Sequence, residues 1–593
     1  MTAEPTTAAT SLTALLAERA AATPDAIAVI ETAAIEGARS EGAGSERAGS
    51  ERAGSEDVGS RRLSYAGLRA TSEALAARLH SEGVRAGDCV AVWLPNWLDA
   101  LVWQFAVARL GASVLGVNTR YNVHELVHLV TVARPVCVAL PDDFHGIDFR
   151  GRLREALDTA KPETTALVAV VAQNRAPDPA GFDLGGGAFV HRTADGLGTP
   201  GTGATAPTGA PASAGTPAAA APPPPLPDPA AIVNYFTTSG STGNPKLAGH
   251  DQAAVTRHAA AGAAAFGMTE TTPVMLCVLP LLGVFGFNAV MATLHAGGTC
   301  LFTPVFDPAR TVADMVTYGV THTIGGDDLH GRLMDSWRED PRPLRAWRQA
   351  GIADFAGRSP AIADWAQTEF GVPVRGVYGS SEVFALTAVR GPDLSPADRV
   401  RGGGRPVDAG IEVRACDPVS GAVLAPGEQG ELQFRGYNVL PGYLRNPEAN
   451  AAVFTEDGWF RSGDLGSVDD PGTGTFTYVC RMGDALRLHG FLTEPAEIEN
   501  YLAAHPQVAT AKVVAADRGD GMGVAVAFVV PADPGRPPGE DELIAYCRSG
   551  LARYKVPSRV VPLDAFPTTA GTNGTKIRTA ELRRRATELL TDA

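Results

Sequence analysis

The sequence predicts an α/β protein: a large N-terminal domain of layered α/β subdomains plus a β-rich subdomain, with a small α+β domain at the C-terminus. Three observations predict it. Apolar strand-like runs alternate with helical patterns through the first two thirds of the chain, as in parallel sheets layered with helices. After Gly430 the character changes to short strands and turns, "GELQFRGYNVLPGY" and "TFTYVCRMGDALRLHGF", and the last hundred residues read as a compact α+β unit ending in the basic helix "ELRRRATELL". A chain of 593 residues is also too long for one core, so two or more domains are expected.

The elements follow in order. After a helix at 11–21, "DAIAVIE" (25–31) reads as a strand, and "RRLSYAGL" (61–68) carries a second strand into a helix. Leu68, Leu75 and Leu79 mark that helix's apolar face, which stops near Gly83. Between the strands, four S-E-x-x-G pentads run from Ser40 to Gly59. So short and polar a unit has no core to bury, and residues 36–60 are expected to be a disordered loop inserted in a hairpin. "CVAVWL" (89–94) precedes a helical pattern at 98–110, and the apolar runs "VCVAL" (136–140) and "TALVAVVA" (165–172) follow. Pro, Ala, Gly and Thr dominate 196–230, a flexible or partly polyproline linker that leads into the strand "AIVNYFTT" (231–238).

Pro273 to Leu294 carries no charge over 22 residues, long enough to span a membrane. Pro280, Gly283, Gly286 and Asn288 interrupt it, which favours a buried strand followed by a buried helix and no membrane span. The net charge of −15 argues against a nucleic-acid or anionic-membrane surface. Seven scattered cysteines, with no C-x-x-C pair or His cluster at ligand spacing, favour a reducing cytoplasm and no structural zinc. The N-terminus lacks the basic start and apolar core of a secretory signal.

Chemistry is concentrated in five motifs. In "NYFTTSGSTGNPKLAGH" (234–250), small hydroxyl residues and glycines precede Lys246, a composition that lets backbone N–H groups curl around an anion. The common P-loop ends in Gly-Lys-Ser/Thr, whereas Pro245 precedes this lysine and Leu247 follows it, so a P-loop phosphotransferase is a poor match. Then come "VYGSSE" (377–382), "GWFRSGDLG" (458–466), "CRMGDALRLHGF" (480–491) and "TTAGTNGTKIR" (568–578).

In this order and at these distances, the five motifs resemble the ATP-dependent adenylate-forming superfamily of acyl-CoA synthetases, peptide-synthetase adenylation domains and beetle luciferases. The resemblance covers the chain from the helix at 11–21 to Lys576, leaving out the two low-complexity tracts. It implies a large domain over 1–482 and a mobile lid over 483–593. It also implies that Thr237, Thr238, Ser239, Gly240, Ser241, Thr242 and Gly243 hold the β- and γ-phosphates of ATP, with Lys246 as a point charge. Tyr378 would lie against adenine, next to Gly379, Ser380 and Ser381, with Gly357 on the adenine-side loop. Glu382 would bind Mg²⁺ together with Thr242, a carboxylate oxygen being a hard ligand. Asp464 would accept both ribose hydroxyls, and Arg481 would contact ribose and phosphate. Lys576 is the residue assigned to catalysis, with Glu382 and Thr238 beside the reacting phosphates, because a fixed cation is worth most where charge builds on the α-phosphorus. Gly483 stands at the family's pivot, where Asp or Lys is usual, and a glycine absorbs a large φ/ψ change there. Gly490 matches the glycine that lets pantetheine of CoA pass.

The sequence departs from the family at the acid pocket. "PLLGVFG" (280–286) has Gly283, next to Phe285, where the family has a histidine. The wall segment reads "IGGDDLHGRL" (324–333): Asp327 and Asp328 are expected as a helix N-cap, or else as carboxylates facing an amine or hydroxyl of a polar substrate. "AGRSP" (356–360) adds Arg358, either a surface residue or a site for a small anion. The reading is therefore an AMP-forming, ATP- and Mg²⁺-dependent acid–CoA ligase, stand-alone and cytoplasmic, monomer or homodimer. The second reading is an enzyme that activates nitrite with ATP and passes it to an aryl amine without CoA.

Overall fold

The computed structural model describes residues 10–32, 60–172 without 163 and 166, 187–191, 226–238, 245–482 without 356, 486–488, 491–517 without 494, 523–551, 555–571 and 574–591. The S-E-x-x-G pentads, the tract up to 225, Ser239 to Asn244, Gly483 and Gly490 lie outside them. The chain divides into two units: residues 1–260 with 268–273 and 290–305, and residues 261–267 and 274–289 with everything from 306 onward.

In the first unit seven strands form one sheet in the order 187–191, 167–171, 137–141, 89–92, 113–116, 232–237 and 247–251. All neighbours are parallel except the last pair, which is antiparallel. Helices Leu98–Arg109, Val123–Ala133 and Phe149–Ala160 join the parallel strands. The first of these is buried along its length from Leu98 to Ala108. Such all-round apolarity is why "WLDALVWQFAVARL" reads as an interior helix. Strands Ile27–Glu31 and Arg61–Ser64 form the expected antiparallel hairpin, with Glu31 opposite Arg61. Arg61 bridges Glu31 at 3.3 Å and the fully buried Asp99 at 2.7 Å. Glu31 in turn accepts the Leu98 N–H at the start of the interior helix.

The second unit contributes ten consecutive strands of one sheet, in the order 411–416, 429–436, 460–470, 475–481, 403–406, 388–389, 374–378, 349–353, 322–326 and 274–277. The run from Val374–Tyr378 to Val274–Cys277 is parallel, and the rest is antiparallel. Tyr378 thus ends the strand at which the sheet changes sense. The uncharged stretch 273–294 forms the strand Val274–Cys277 and the buried helix Val284–His295, as expected, and no described helix is long and apolar enough to cross a membrane. Beyond Leu486 a three-stranded sheet (508–517, 523–531, 559–562) carries helices Pro495–Ala503, Glu540–Gly550 and Thr579–Thr591. Its two apolar clusters are built from residues 486 and onward alone, Leu488, Ile498, Val513 and Leu543 in one and Val514, Phe528 and Leu582 in the other.

Candidate active site

In the first unit, the ends of the Thr/Ser/Gly loop are fixed. Thr237 ends its strand opposite Leu247, and the Thr238 N–H donates to the Lys246 carbonyl at 2.9 Å. The Tyr121 hydroxyl donates to Thr237 Oγ1 at 3.0 Å, and His128 Nε2 lies 2.9 Å from the Pro245 carbonyl, which can only accept. The loop is therefore closed at its base as a hairpin, with Tyr121 and His128 bracing it; no spacing in the sequence marks those two.

In the second unit, four of the expected residues cluster. Tyr378 is buried, its ring stacked on Phe434 at 5.4 Å and edge-on to Phe476 at 5.1 Å, and its hydroxyl donates to Asp464 Oδ2 at 2.5 Å. Asp464 stands opposite Arg481 across two antiparallel strands, and Arg481 Nη1 lies 3.1 Å from Asp464 Oδ1. Burial raises the Asp464 carboxyl above its ordinary range, and the Arg481 charge and the Tyr378 hydroxyl oppose that rise. Burial and the Asp464 charge together push the Tyr378 phenol well above its ordinary value, so it stays a donor. Although buried, Asp464 Oδ1 has no aligned hydrogen-bond donor among the described residues. With the Arg481 charge beside it but no aligned hydrogen bond, this carboxylate oxygen keeps acceptor capacity that the hydroxyls of a ribose fit.

Glu382 is half-buried in the turn that follows Tyr378. Tyr443 donates to Glu382 Oε1 at 3.0 Å. Burial, then the Glu382 charge, lift the Tyr443 hydroxyl above its ordinary value. The described residues contain no group of three or more His, Cys, Asp or Glu able to hold a metal. The Glu382 carboxylate, half-buried and with Oε1 already accepting from Tyr443, is a hard oxygen donor of the type Mg²⁺ takes one or two of, completing its shell with substrate phosphates and water. The turn itself is unusual. Phe384, Ala385 and Leu386 have φ of 64°, 27° and 51°, three consecutive non-glycine residues in the left-handed region. That path costs on the order of 1–2 kcal/mol per residue, a reservoir of strain of the kind found at functional sites. The turn folds back on Gly379, where a Cβ would come within 2.4 Å of Ala385 Cα, so only glycine fits.

Two expectations change at the adenine-side loop. Gly326, not an aspartate, is the N-cap of helix Asp327–Glu339. Asp327 is fully buried, with Oδ1 accepting the Phe355 N–H and Oδ2 the Arg358 N–H, both at 3.0 Å. Its carboxylate anchors the loop and does not face a substrate, because both oxygens are already engaged by backbone donors. Asp328, beside it, is half-buried. Arg358 forks onto both oxygens of the exposed Asp335 at 2.9 Å, an ion pair at the surface, in line with the surface alternative. Gly357, at φ 78°, donates to Asp354 Oδ1 at 3.2 Å, a left-handed position that suits glycine. Gly283 caps the helix Val284–His295, its carbonyl accepting from Phe287, and Phe285 is buried in that helix. The backbone of Lys576 lies in the hairpin strand Gly574–Ile577, opposite Thr569.

A carboxylate paired with arginine beside a strained acidic turn, on a sheet that changes sense at Tyr378, defines a nucleotide-binding α/β enzyme. The chain belongs to the adenylate-forming family: the family model described as AMP-binding enzyme matches residues 16–444, and that of the AMP-binding enzyme C-terminal domain matches 497–572. It is 31% identical over 538 residues to a feruloyl-CoA synthase of Amycolatopsis, covering 88% of this chain and 94% of that protein. It is 30% identical over 510 residues to a methyl-dioxo-octahydroindenyl-propanoyl:CoA ligase of Rhodococcus jostii, covering 85% and 91%. The fold matches O-succinylbenzoate coenzyme A synthetase of Bacillus subtilis, solved with ATP and magnesium ion, at a TM-score of 0.71 and 22% identity over 95% of this chain and 98% of that one.

Proposed function

We propose that the protein joins a carboxylic acid to CoA in two steps at the expense of ATP, and that the acid is largely apolar. The observation that carries the nucleotide reading is the buried Asp464 carboxylate, ion-paired with Arg481 and with Oδ1 outside any aligned hydrogen bond. Two relatives, a CoA ligase and a CoA synthase, support CoA as acceptor. In the first step the acid's carboxylate oxygen attacks the α-phosphorus of ATP and the bond to the β-phosphate breaks, releasing pyrophosphate. Thr237, Thr238, Lys246 and the loop between them would take the departing phosphates, Glu382 and Thr242 are the residues that would hold Mg²⁺, and Lys576 would offset charge at the α-phosphorus. In the second step the CoA thiolate attacks the acyl carbon and AMP leaves. The assigned boundary at 482/483 fits the self-contained apolar clusters beyond Leu486, with Gly483 as the pivot.

The apolar acid follows from how the charges are used. Of the three charged residues expected at the pocket, Asp327 and Arg358 are committed to the loop backbone and to Asp335, and Asp328 is half-buried at the start of the helix. The helix carrying Gly283 and Phe285 has no charged side chain before His295. Pyrophosphate release across aliphatic acids, aryl acids and nitrite with aryl amines, with and without CoA, tests the reading. Acyl-CoA formation from aryl or long apolar acids is expected; CoA-independent turnover of nitrite and amine overturns it. No observation favours the nitrite reading.

A further inference from the structure

Four consecutive carbonyls in the turn after Tyr378 each receive a donor from outside the turn. The Leu440 N–H donates to the Glu382 carbonyl at 2.8 Å. Asn438 Nδ2 donates to the Val383 carbonyl at 2.9 Å, joined there by Thr387 Oγ1 at 2.7 Å. Asn288 Nδ2 donates to the Phe384 carbonyl at 2.5 Å and reaches the Ala385 carbonyl at 3.3 Å. Both partners of that amide are acceptors, which fixes its orientation. Asn288 and Asn438 are themselves buried, 3% and 0% exposed. Asn288 sits mid-helix in Val284–His295, where an amide side chain has poor helical propensity and needs a tertiary reason. The reason is tertiary: the left-handed path turns these carbonyls away from regular hydrogen bonding, and a buried carbonyl left alone is costly.

We propose that Asn288 and Asn438 are positioning residues for cation binding at Glu382: by holding the left-handed turn Phe384–Leu386, they set the carboxylate at its start. The inference rests on the reading of Glu382 as a Mg²⁺ ligand. Asn288 belongs to the helix that opens with Gly283 and Phe285, so the same helix that carries expected acid-pocket residues also steadies the acidic turn. Outer partners of a metal ligand tune its affinity by about 10–100-fold, and a backbone clamp belongs at the low end of that range.

The test is a Mg²⁺ titration on the full chain at saturating ATP, read both as pyrophosphate release and, with no acid present, as the Mg²⁺-dependent rise in melting temperature, with Asn288→Ala, Asn438→Ala, Ala385→Gly and the Asn288→Ala/Ala385→Gly pair. Asn288→Ala is expected to raise the Mg²⁺ concentration for half-maximal rate about tenfold. Asn438→Ala should raise it less, because Thr387 still serves the Val383 carbonyl, and this milder variant carries the test if Asn288→Ala does not fold. Glycine at 385 takes the left-handed conformation without a Cβ penalty, so the double variant should regain most of the lost Mg²⁺ response. A purely structural asparagine would lower the melting temperature without moving the Mg²⁺ midpoint. An unchanged midpoint in both asparagine variants, or no recovery in the double variant, overturns the proposal. Glu382→Gln separates the two claims. If it leaves the Mg²⁺ midpoint unmoved, the metal reading of Glu382 fails; if it moves the midpoint while both asparagine variants do not, only the clamp fails.

Discussion

Tyr378→Phe removes one oxygen and nothing else: the ring keeps its stacking on Phe434 and its edge contact with Phe476. What is lost is the 2.5 Å hydrogen bond to the buried Asp464 carboxylate. A hydrogen bond to a charged group contributes about 1.5–3 kcal/mol, and 1.36 kcal/mol is one pKa unit. The Asp464 carboxyl, already raised by burial, should therefore climb further in the variant. If ionised Asp464 must accept the ribose hydroxyls, the acid limb of kcat/KM for ATP moves up in pH by the same amount, while the rate at high pH recovers. The sign for stability is the opposite of the usual salt-bridged aspartate. A folded-state pKa above the unfolded value means that the folded state binds more protons, so stability falls as pH rises from the ordinary carboxylate range through the raised pKa. The melting-temperature gap between variant and parent should widen from pH 5 to pH 8. Pyrophosphate release and thermal melts across that range measure both. An acid limb that coincides with the parent's in a folded variant refutes the reasoning.

Lys576→Ala should cut pyrophosphate release by about 10²–10³, the scale of losing a donor to developing charge, with an unchanged circular dichroism spectrum; near-normal release refutes its role. Asp327→Ala leaves the N–H groups of Phe355 and Arg358 without their acceptor, so unfolding free energy by urea titration should fall by about 3 kcal/mol and the KM for ATP should rise. A changed acid profile in that variant would restore Asp327 to the pocket. Arg358→Ala breaks only an exposed pair and should cost less than about 1 kcal/mol in the same titration. Arg61→Ala removes the cation paired with buried Asp99 and Glu31 and should cost about 3–5 kcal/mol, read as a lower urea midpoint.

What could be read from the sequence depended on whether a residue's role is local. The hairpin strands, the interior helix "WLDALVWQFAVARL" and the strand–helix reading of 273–294 all rest on short-range apolar pattern, and each stands in the structure. Asp464 and Arg481 lie far enough apart in the chain that only the motif order paired them; the sheet puts them in register. Asp327 went the other way. Two adjacent aspartates at a helix start suggest a cap, but the partners of Asp327 are backbone groups about thirty residues on, which no local pattern encodes. Tyr443, Asn288 and Asn438 were invisible for the same reason, since each acts on the turn 382–385 through tertiary hydrogen bonds.

The pairing of Glu31 with Arg61 has a consequence for how this gene can change. The two residues face each other in one hairpin, tied by backbone register and by an ion pair. The two ends of the segment between them are thus held together by the fold. Closing a loop costs only about 0.6 kcal/mol for each doubling of its length. Pentads can accordingly be gained or lost by replication slippage at almost no thermodynamic penalty, and a foreign folded module with neighbouring termini could be spliced in at the same place.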